Sequence, residues 1–302
     1  MNASAPQIIN PRLVKLTTRT GVEIRRTLPN PAVRTIGAWC FVDHFGPTPQ
    51  TDGMVVAAHP HTGLQTATWL LEGEIEHRDS LGSVQLIKPG QLNLMTGGFG
   101  ISHSELSQPT TERLHAVQLW IALPDAVRNG PAAFAHYADL PVRECDGSKL
   151  TVFAGSMDDL TAPTEVFSDM VGAELVLAGG ARLSIAASDD YEYGLLVVSG
   201  EAAVNGETIE VGQLGCFEPG LEMLEIAAGP EGATVIVLGG VPFGEKLVMW
   251  WNFIGRDHDE IVQAREEWNA RGERFGVFAD NIGGWIPAPD LPSVRLRPRG
   301  GD

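Results

Sequence analysis

Basic residues are scarce in this 302-residue sequence: 21 lysines and arginines stand against 38 aspartates and glutamates, a formal net charge of -17. No lysine or arginine cluster offsets that excess. A field of this sign repels phosphate backbones, so direct nucleic-acid binding is not expected. Cysteine is scarcer still. Cys40, Cys145 and Cys216 are odd in number, far apart and free of any CxxC pair. That excludes a disulfide framework and a thiolate zinc site, and leaves buried, reduced thiols. Long apolar runs are missing too. The most apolar segments, "LIKPGQLNLM" and "GATVIVLGGVPFG", are broken by Gly, Pro or Lys, well short of the roughly 18 to 20 residues of a membrane helix. The opening "MNASAPQIINPRLVKL" has no basic run followed by an apolar core and a small-residue cleavage site, so the expected compartment is the cytoplasm.

What the sequence has instead is punctuation. Its 35 glycines and 20 prolines separate short, alternating, β-branched runs such as "QTATWLL", "SVQLIK", "HAVQLWIAL" and "TVIVLGG". Regular short strands between turns predict an all-β sandwich or barrel. Helix is expected over 257–270, "DHDEIVQAREEWNA", where Asp257 and Glu260 have capping-box spacing and Ile261, Ala264 and Trp268 trace one apolar stripe. A weaker helical turn is expected in "PDAVRNGPAAFAHY", residues 124–137.

A faint repeat organises the chain. "LLEGEIEH" around Gly73 resembles "VVSGEAAV" around Gly200, and "KPGQL" around Gly90 resembles "EVGQL" around Gly212. Two copies of one β unit predict tandem β domains, drawn here as 1–142 and 143–302, with the 257–270 helix in the second. Carried across the repeat, His59 and His61 fall on Ala186 and Ser188, while His103 and Glu105 fall on Glu225 and Ala227. Any histidine chemistry therefore belongs to the first domain.

That chemistry is written in two stretches, "AAHPHTGLQTATWLLEGEIEHRDS" (57–80) and "MTGGFGISHSE" (95–105). Residues i and i+2 of a strand share a face, so His59 projects with His61 and His103 with Glu105. Two such strands side by side would set three imidazoles and a carboxylate around one point. Those donors suit one divalent metal ion: iron, zinc, nickel, copper or manganese. Four protein ligands leave two positions of a six-coordinate ion open, which for a redox-active metal points to oxygen chemistry. For zinc the same set points to Lewis-acid chemistry or a structural role. Glycines in "GGFG" would permit close backbone approach near His103. Asp43 and His44 in "VDHFGP" read either as groups orienting a ligand imidazole or as a turn cap and a structural histidine. His77, Arg78 and Asp79 read as a hydrogen-bonded turn closing the first barrel. His115 reads as a pocket wall or core position, His136 and His258 have no partner at ligand spacing, and Trp250 and Trp251 read as packing for the helix.

"HPHTGLQTATWLLEGEIEHRDS", "MTGGFGISHSE", "VDHFGP" and "LHAVQLWIALP" together resemble the pirin family, a bicupin branch of the cupin superfamily. The resemblance is dense over residues 20–125 and looser beyond. It implies two stacked cupin-type β-barrels with metal in the N-terminal one only, held by His59, His61, His103 and Glu105, with Fe(II) the family's usual metal. It also implies a quercetin 2,3-dioxygenase-like oxidoreductase that opens a flavonol with dioxygen and releases carbon monoxide, Glu105 taking the 3-hydroxyl proton as the catalytic base. The alternative it carries is an iron-dependent, redox-sensing regulator that binds a protein partner. A third reading, from the ligand set itself, is a metal-tied scaffold without turnover. Three positions depart from the family pattern: Gln65 stands where pirins commonly have Glu, Phe99 replaces a basic residue, and Leu94 replaces an aromatic. A less charged, more apolar pocket is expected from them.

Overall fold

The computed structural model describes residues 5–15, 23–49, 53–108, 112–277 and 283–301. Among these the chain is built almost wholly of strands, with one α-helix and one short 3-10 turn, as the alternating apolar runs require. It forms two compact units. One comprises 1–13, 25–44 and 137–243; the other comprises 14–24, 45–136 and 244–302. Where the sequence suggested a single cut at 142/143, the contacts divide the chain at several points and give residues 244–302 to the unit that holds the histidines. Docking of a tail on a distant strand leaves no local trace in composition.

In the unit containing 137–243, one sheet runs Gln7–Ile9, Leu214–Phe217, Glu192–Val204, Met223–Gly240, Met170–Leu177, Ser148–Met157 and Val142–Cys145. Its interior is filled by alternating aliphatic side chains, among them Leu195, Val197, Leu224, Ile226, Val235 and Val237. Ala186 and Glu225, the positions that the repeat equates with His59 and His103, are exposed. The repeat is thus one of turn geometry: Gly73, Gly90, Gly200 and Gly212 all have positive φ, between 72° and 94°, a conformation that glycine adopts without steric cost.

The histidine-bearing unit is built on β1 (Val55–His61), β2 (Leu64–Glu72), β3 (Ile75–Asp79), β4 (Val84–Ile87), β5 (Leu92–Thr96), β6 (Ile101–Ser107), β7 (Arg113–Ala122) and β8 (Ala133–Tyr137). One sheet has the order β1-β6-β3-β4, and the facing strands run β8-β5-β2-β7. An apolar plug of Val56, Leu70, Ile75, Ile87, Leu114 and Ala116 fills part of the interior. Further along the same strands the inward positions turn polar: His59 and His61 follow Val56, and His77 and Asp79 follow Ile75. Residues 124–137 form no helix. Val127 and Arg128 both donate to the Pro124 carbonyl, a single turn, and Gly130-Pro131 ends it before β8 begins.

Residues 244–302 make a small hairpin, Val248–Trp250 with Phe253–Gly255, and α1 (His258–Asn269). Asp257 caps α1, accepting from the Asp259 and Glu260 amides. The return bond of the expected capping box is displaced by one residue, because the Glu260 carboxylate accepts from the Arg256 amide, not from Asp257. Ile261, Ala264 and Trp268 are buried with Val248, Phe253 and Phe275, and Trp250 and Trp251 pack against them. This segment lines the edge of β1: Ala58 N donates to Gly284 O, Ile286 N to Ala58 O, and Ile254 N to Thr62 O, at 2.9–3.1 Å. An open sheet edge beside the histidines is thereby covered. No helix among the described residues is long and apolar enough to cross a membrane.

Candidate metal centre

One of the two inner strands of the four-stranded sheet, β6, decides the geometry. β6 pairs with β1 on one side, placing His103 opposite His59, and with β3 on the other, placing His103 opposite Asp79 and Glu105 opposite His77. Cross-strand partners share a face, so five polar side chains converge from three strands. Pro60, between the two β1 histidines, is tolerated because β1 is an edge strand of this sheet. Ligand-capable atoms of His59, His61 and His103 lie within 4.8 Å of one another, and so do those of His77, His103 and Glu105. The two triads share His103, and Glu105 stands on the His77 side of it.

Every imidazole is positioned. His59 Nδ1 is 2.9 Å from the Ala57 carbonyl; a carbonyl only accepts, so Nδ1 carries the proton and Nε2 keeps its lone pair. His61 Nε2 faces His103 Nε2 at 3.1 Å, and Trp120 packs edge-on against the His61 ring. Three buried imidazoles with ring nitrogens this close are a donor set that fits a first-row divalent ion.

Sequence reasoning missed His77 as a member of the cluster. The hydrogen-bonded turn read there is closed by Asp79, whose Oδ1 accepts from the Leu81 and Ser83 amides, while His77 lies on β3 before it and is buried inside the barrel, its Nδ1 3.3 Å from His103 Nδ1 and its Nε2 3.0 Å from Asp79 Oδ2. Phe134 stacks on its ring at 4.3 Å. The signal that could have found it was present: His77 and Asp79 have the same i, i+2 spacing as the other pairs. Arg78, between them, turns to Glu76. Glu105 Oε1 accepts from Thr68 Oγ1 at 3.2 Å, and Thr68 also reaches Gln118 Oε1 at 3.0 Å.

Burial sets the charge states. It pulls His59 down to about 4, against the hydrogen bond to Ala57. It holds His61 and His103 well below the ordinary imidazole range, and neighbouring imidazoles push the same way. Burial raises Glu105, although His77 and Thr68 oppose it. Asp79 is lowered: burial would raise it, but hydrogen bonds from His77 and Ser83 win.

A stability window follows for the metal-free protein. Unfolded histidines titrate near ~6.5 and folded His59 near 4. Between those values the unfolded chain binds more protons, so stability falls as the pH drops through the window. His59 alone contributes a loss of about 2 kcal/mol between pH 7 and pH 5. Urea midpoints at the two pH values check this, and equal midpoints would contradict it.

The other singled-out residues lie elsewhere. Asp43 binds Arg26 through both carboxylate oxygens at 2.7 Å. His44 and His115 are buried and belong to neither triad. His136 Nδ1 meets Asn93 Oδ1, and His258 Nδ1 accepts from the Leu296 amide.

Residues 21–121 match the family model described as Pirin, and residues 172–276 match the Pirin C-terminal cupin domain. The chain belongs to the pirin family. Its two cupin domains make the fold a bicupin. A Pseudomonas aeruginosa protein named "Putative quercetin 2,3-dioxygenase" is 43% identical to this pirin over 274 residues, covering 90% of this chain and 87% of the relative. A pirin-like protein of Caulobacter vibrioides is 35% identical over 278 residues, covering 89% and 94%. The crystal structure of a quercetin 2,3-dioxygenase from Acinetobacter baumannii matches with a TM-score of 0.92 at 41% identity, covering 99% of this chain and 98% of that one.

The departures from the pirin pattern take definite places. Gln65 is buried and donates to Thr96 Oγ1 at 3.0 Å, so a neutral amide stands where other pirins commonly have an acid. Leu94 is buried on β5. Phe99 does not make its loop simply apolar. It is 46% exposed, and Arg274 lies over its ring at 4.1 Å while donating to the Phe99 carbonyl at 2.8 Å. The positive charge missing from position 99 returns from a residue 175 positions away, a compensation that no local motif reveals.

Proposed function

We propose that this pirin is a metal-dependent dioxygenase that opens quercetin-like flavonols, or a related enolisable aromatic, with release of carbon monoxide. The observation that carries the reading is a buried set of neutral imidazoles beside a buried carboxylate. His59, His61 and His103, with Glu105 as the fourth donor, would hold one divalent ion. Fe(II) is assigned first, and zinc, nickel, copper and manganese suit the same donors. When bound, such an ion supplies Lewis acidity and, if redox-active, electron exchange with dioxygen.

The chain's own residues supply the rest. Burial raises the Glu105 carboxyl, which brings it nearer the range where a carboxylate takes a proton efficiently from an acidified enol hydroxyl. Thr68 donates to Oε1 and thereby fixes the carboxylate, leaving Oε2 to accept the 3-hydroxyl proton of the flavonol. Trp120 against His61 and Phe134 against His77 bring flat apolar surfaces next to the donors, which suits a planar aromatic ligand and excludes water. The likeness to the Acinetobacter baumannii dioxygenase supports the same substrate class. Three free cysteines suit a reducing compartment, and the cytoplasm is assigned on that ground.

Oxygen consumption tests the proposal. Protein loaded with iron without air is expected to take up dioxygen only when quercetin is added, with carbon monoxide in the head space. Glu105→Gln should lower turnover by about 100-fold or more. No uptake across a flavonoid panel by fully loaded protein would refute the activity.

A further inference from the structure

The barrel wall across from the histidines carries polar groups that the proposed chemistry does not use. Thr68 of β2 stands opposite Asn93 of β5 on one side and Gln118 of β7 on the other. Cross-strand partners share a face, and Thr68 reaches Glu105, so all three side chains lie on the inner face of their sheet. Two residues along the strands, that face carries Leu70 opposite Ala116, part of the apolar plug. Two residues the other way it carries Thr66 opposite Met95 and Trp120. The row Asn93, Thr68, Gln118 is thus the level at which the interior changes from packed core to site.

We propose that Asn93 and Gln118 are specificity-determining residues, whose carboxamides bind ring oxygens of the substrate on either side of the enol that Glu105 addresses. The inference rests on the flavonol reading above and narrows it to aromatics oxygenated at both ends.

Each carboxamide is engaged at one end only. Asn93 Oδ1 is 2.8 Å from His136 Nδ1, and Gln118 Oε1 is 3.0 Å from Thr68 Oγ1. Asn93 Nδ2 and Gln118 Nε2 are buried without a partner among the described residues, and Asn93 as a whole is 3% exposed. Nearly all buried polar groups in folded proteins are paired, so two spare donors in one row call for a function. Space to use them lies inside the barrel. Gln118 is half-buried although Val117 and Leu119, on the opposite face of β7, are buried, so its open surface is on the inner face, beside Glu105. The spacing also suits a ligand of this class. Asn93 and Gln118 lie two strands apart, roughly 10 Å, with Thr68 and Glu105 between them. Quercetin carries its 3-hydroxyl on the central ring and further hydroxyls on the rings at either end, the order that the row offers, and a phenol oxygen accepts from an amide N–H.

A merely structural pair would hold His136 and Thr68 in place and be indifferent to the ends of the ligand. The probes that separate the two roles are quercetin and 3-hydroxyflavone, which keeps the central enol and carbonyl but has no hydroxyls on its end rings. Full-length protein loaded with zinc, which has no redox chemistry, reports binding without turnover through quenching of tryptophan fluorescence. The iron-loaded protein reports kcat/KM for both compounds. Wild type is expected to prefer quercetin by about 10-fold or more, and Asn93→Leu and Gln118→Leu should each cut that preference about 3- to 10-fold, the loss falling on quercetin. Should a leucine variant fail to fold, Asn93→Ala or Gln118→Ala replaces it with the same expectation. Equal affinity of wild type for the two flavonols overturns the assignment, and so do variants that keep the wild-type preference or weaken both ligands alike. Protein that binds neither flavonol overturns it too. A quercetin preference that falls in both variants, in protein that takes up no dioxygen, upholds the recognition and removes the dioxygenase reading instead.

Discussion

Replacing His103 with alanine should abolish stoichiometric metal binding and leave the barrel folded. His103 belongs to both triads and sits on an inner strand of its sheet, opposite His59 on one side and Asp79 on the other. Its loss removes one of three imidazoles from a set that binds only as a set, and affinity should fall by orders of magnitude. The fold should bear the change. The apolar plug lies elsewhere along the strands, and the main local penalty is a His77 Nδ1 left without its partner, a cost of about 1–3 kcal/mol. His59→Ala should lose the metal with a smaller stability cost, because Nδ1 of that ring is paired only with the Ala57 carbonyl. Zinc titration and thermal melts of the metal-free variants check both expectations. If either variant unfolds, the imidazoles tie the strands together, and the scaffold reading gains.

Gly63→Val should be strongly damaging although Gly63 is not among the ligands. Gly63 follows the β1 histidines with φ of 70°, and a Cβ there would lie 2.3 Å from the Ile254 carbonyl oxygen. Two penalties add: a left-handed backbone imposed on a β-branched residue, about 1–2 kcal/mol, and a clash with main chain that cannot rotate away, about 1–3 kcal/mol. The clash also strikes the bond from Ile254 N to Thr62 O that holds the C-terminal segment on β1. A lower denaturation midpoint is expected together with faster proteolysis within residues 244–302. A variant as stable as wild type would show that the segment contributes little to the barrel.

The candidate centre was legible where strand periodicity carries the information. His59 with His61, and His103 with Glu105, were found by two-residue spacing alone, and the facing of the two strands followed from β propensity. His77 was passed over because the sequence around it ends in Ser80-Leu81-Gly82, a turn signal that hid the strand running up to Asp79. Glu105 stands opposite His77 on β3, and a β-bulge separates it from His103 on the β1 side, which spacing within one strand does not show. The repeat around Gly73 and Gly200 revealed two copies of a β unit, because positive-φ turns leave a glycine signature. Long-range docking leaves none: nothing in "LVMWWNF" or the helix after it says that residues 244–302 return to β1, or that Arg274 covers Phe99. The displaced capping bond at Glu260 is a smaller instance, since spacing alone does not distinguish the amide of Asp257 from that of Arg256.

The central claim is that His59, His61 and His103 hold a divalent ion, and elemental analysis of the protein purified from its own host tests it most directly. About one equivalent of a first-row divalent metal per chain is expected, removed by a chelator and restored by Fe(II). A chain that carries no metal as purified and takes up none on reconstitution would contradict the account.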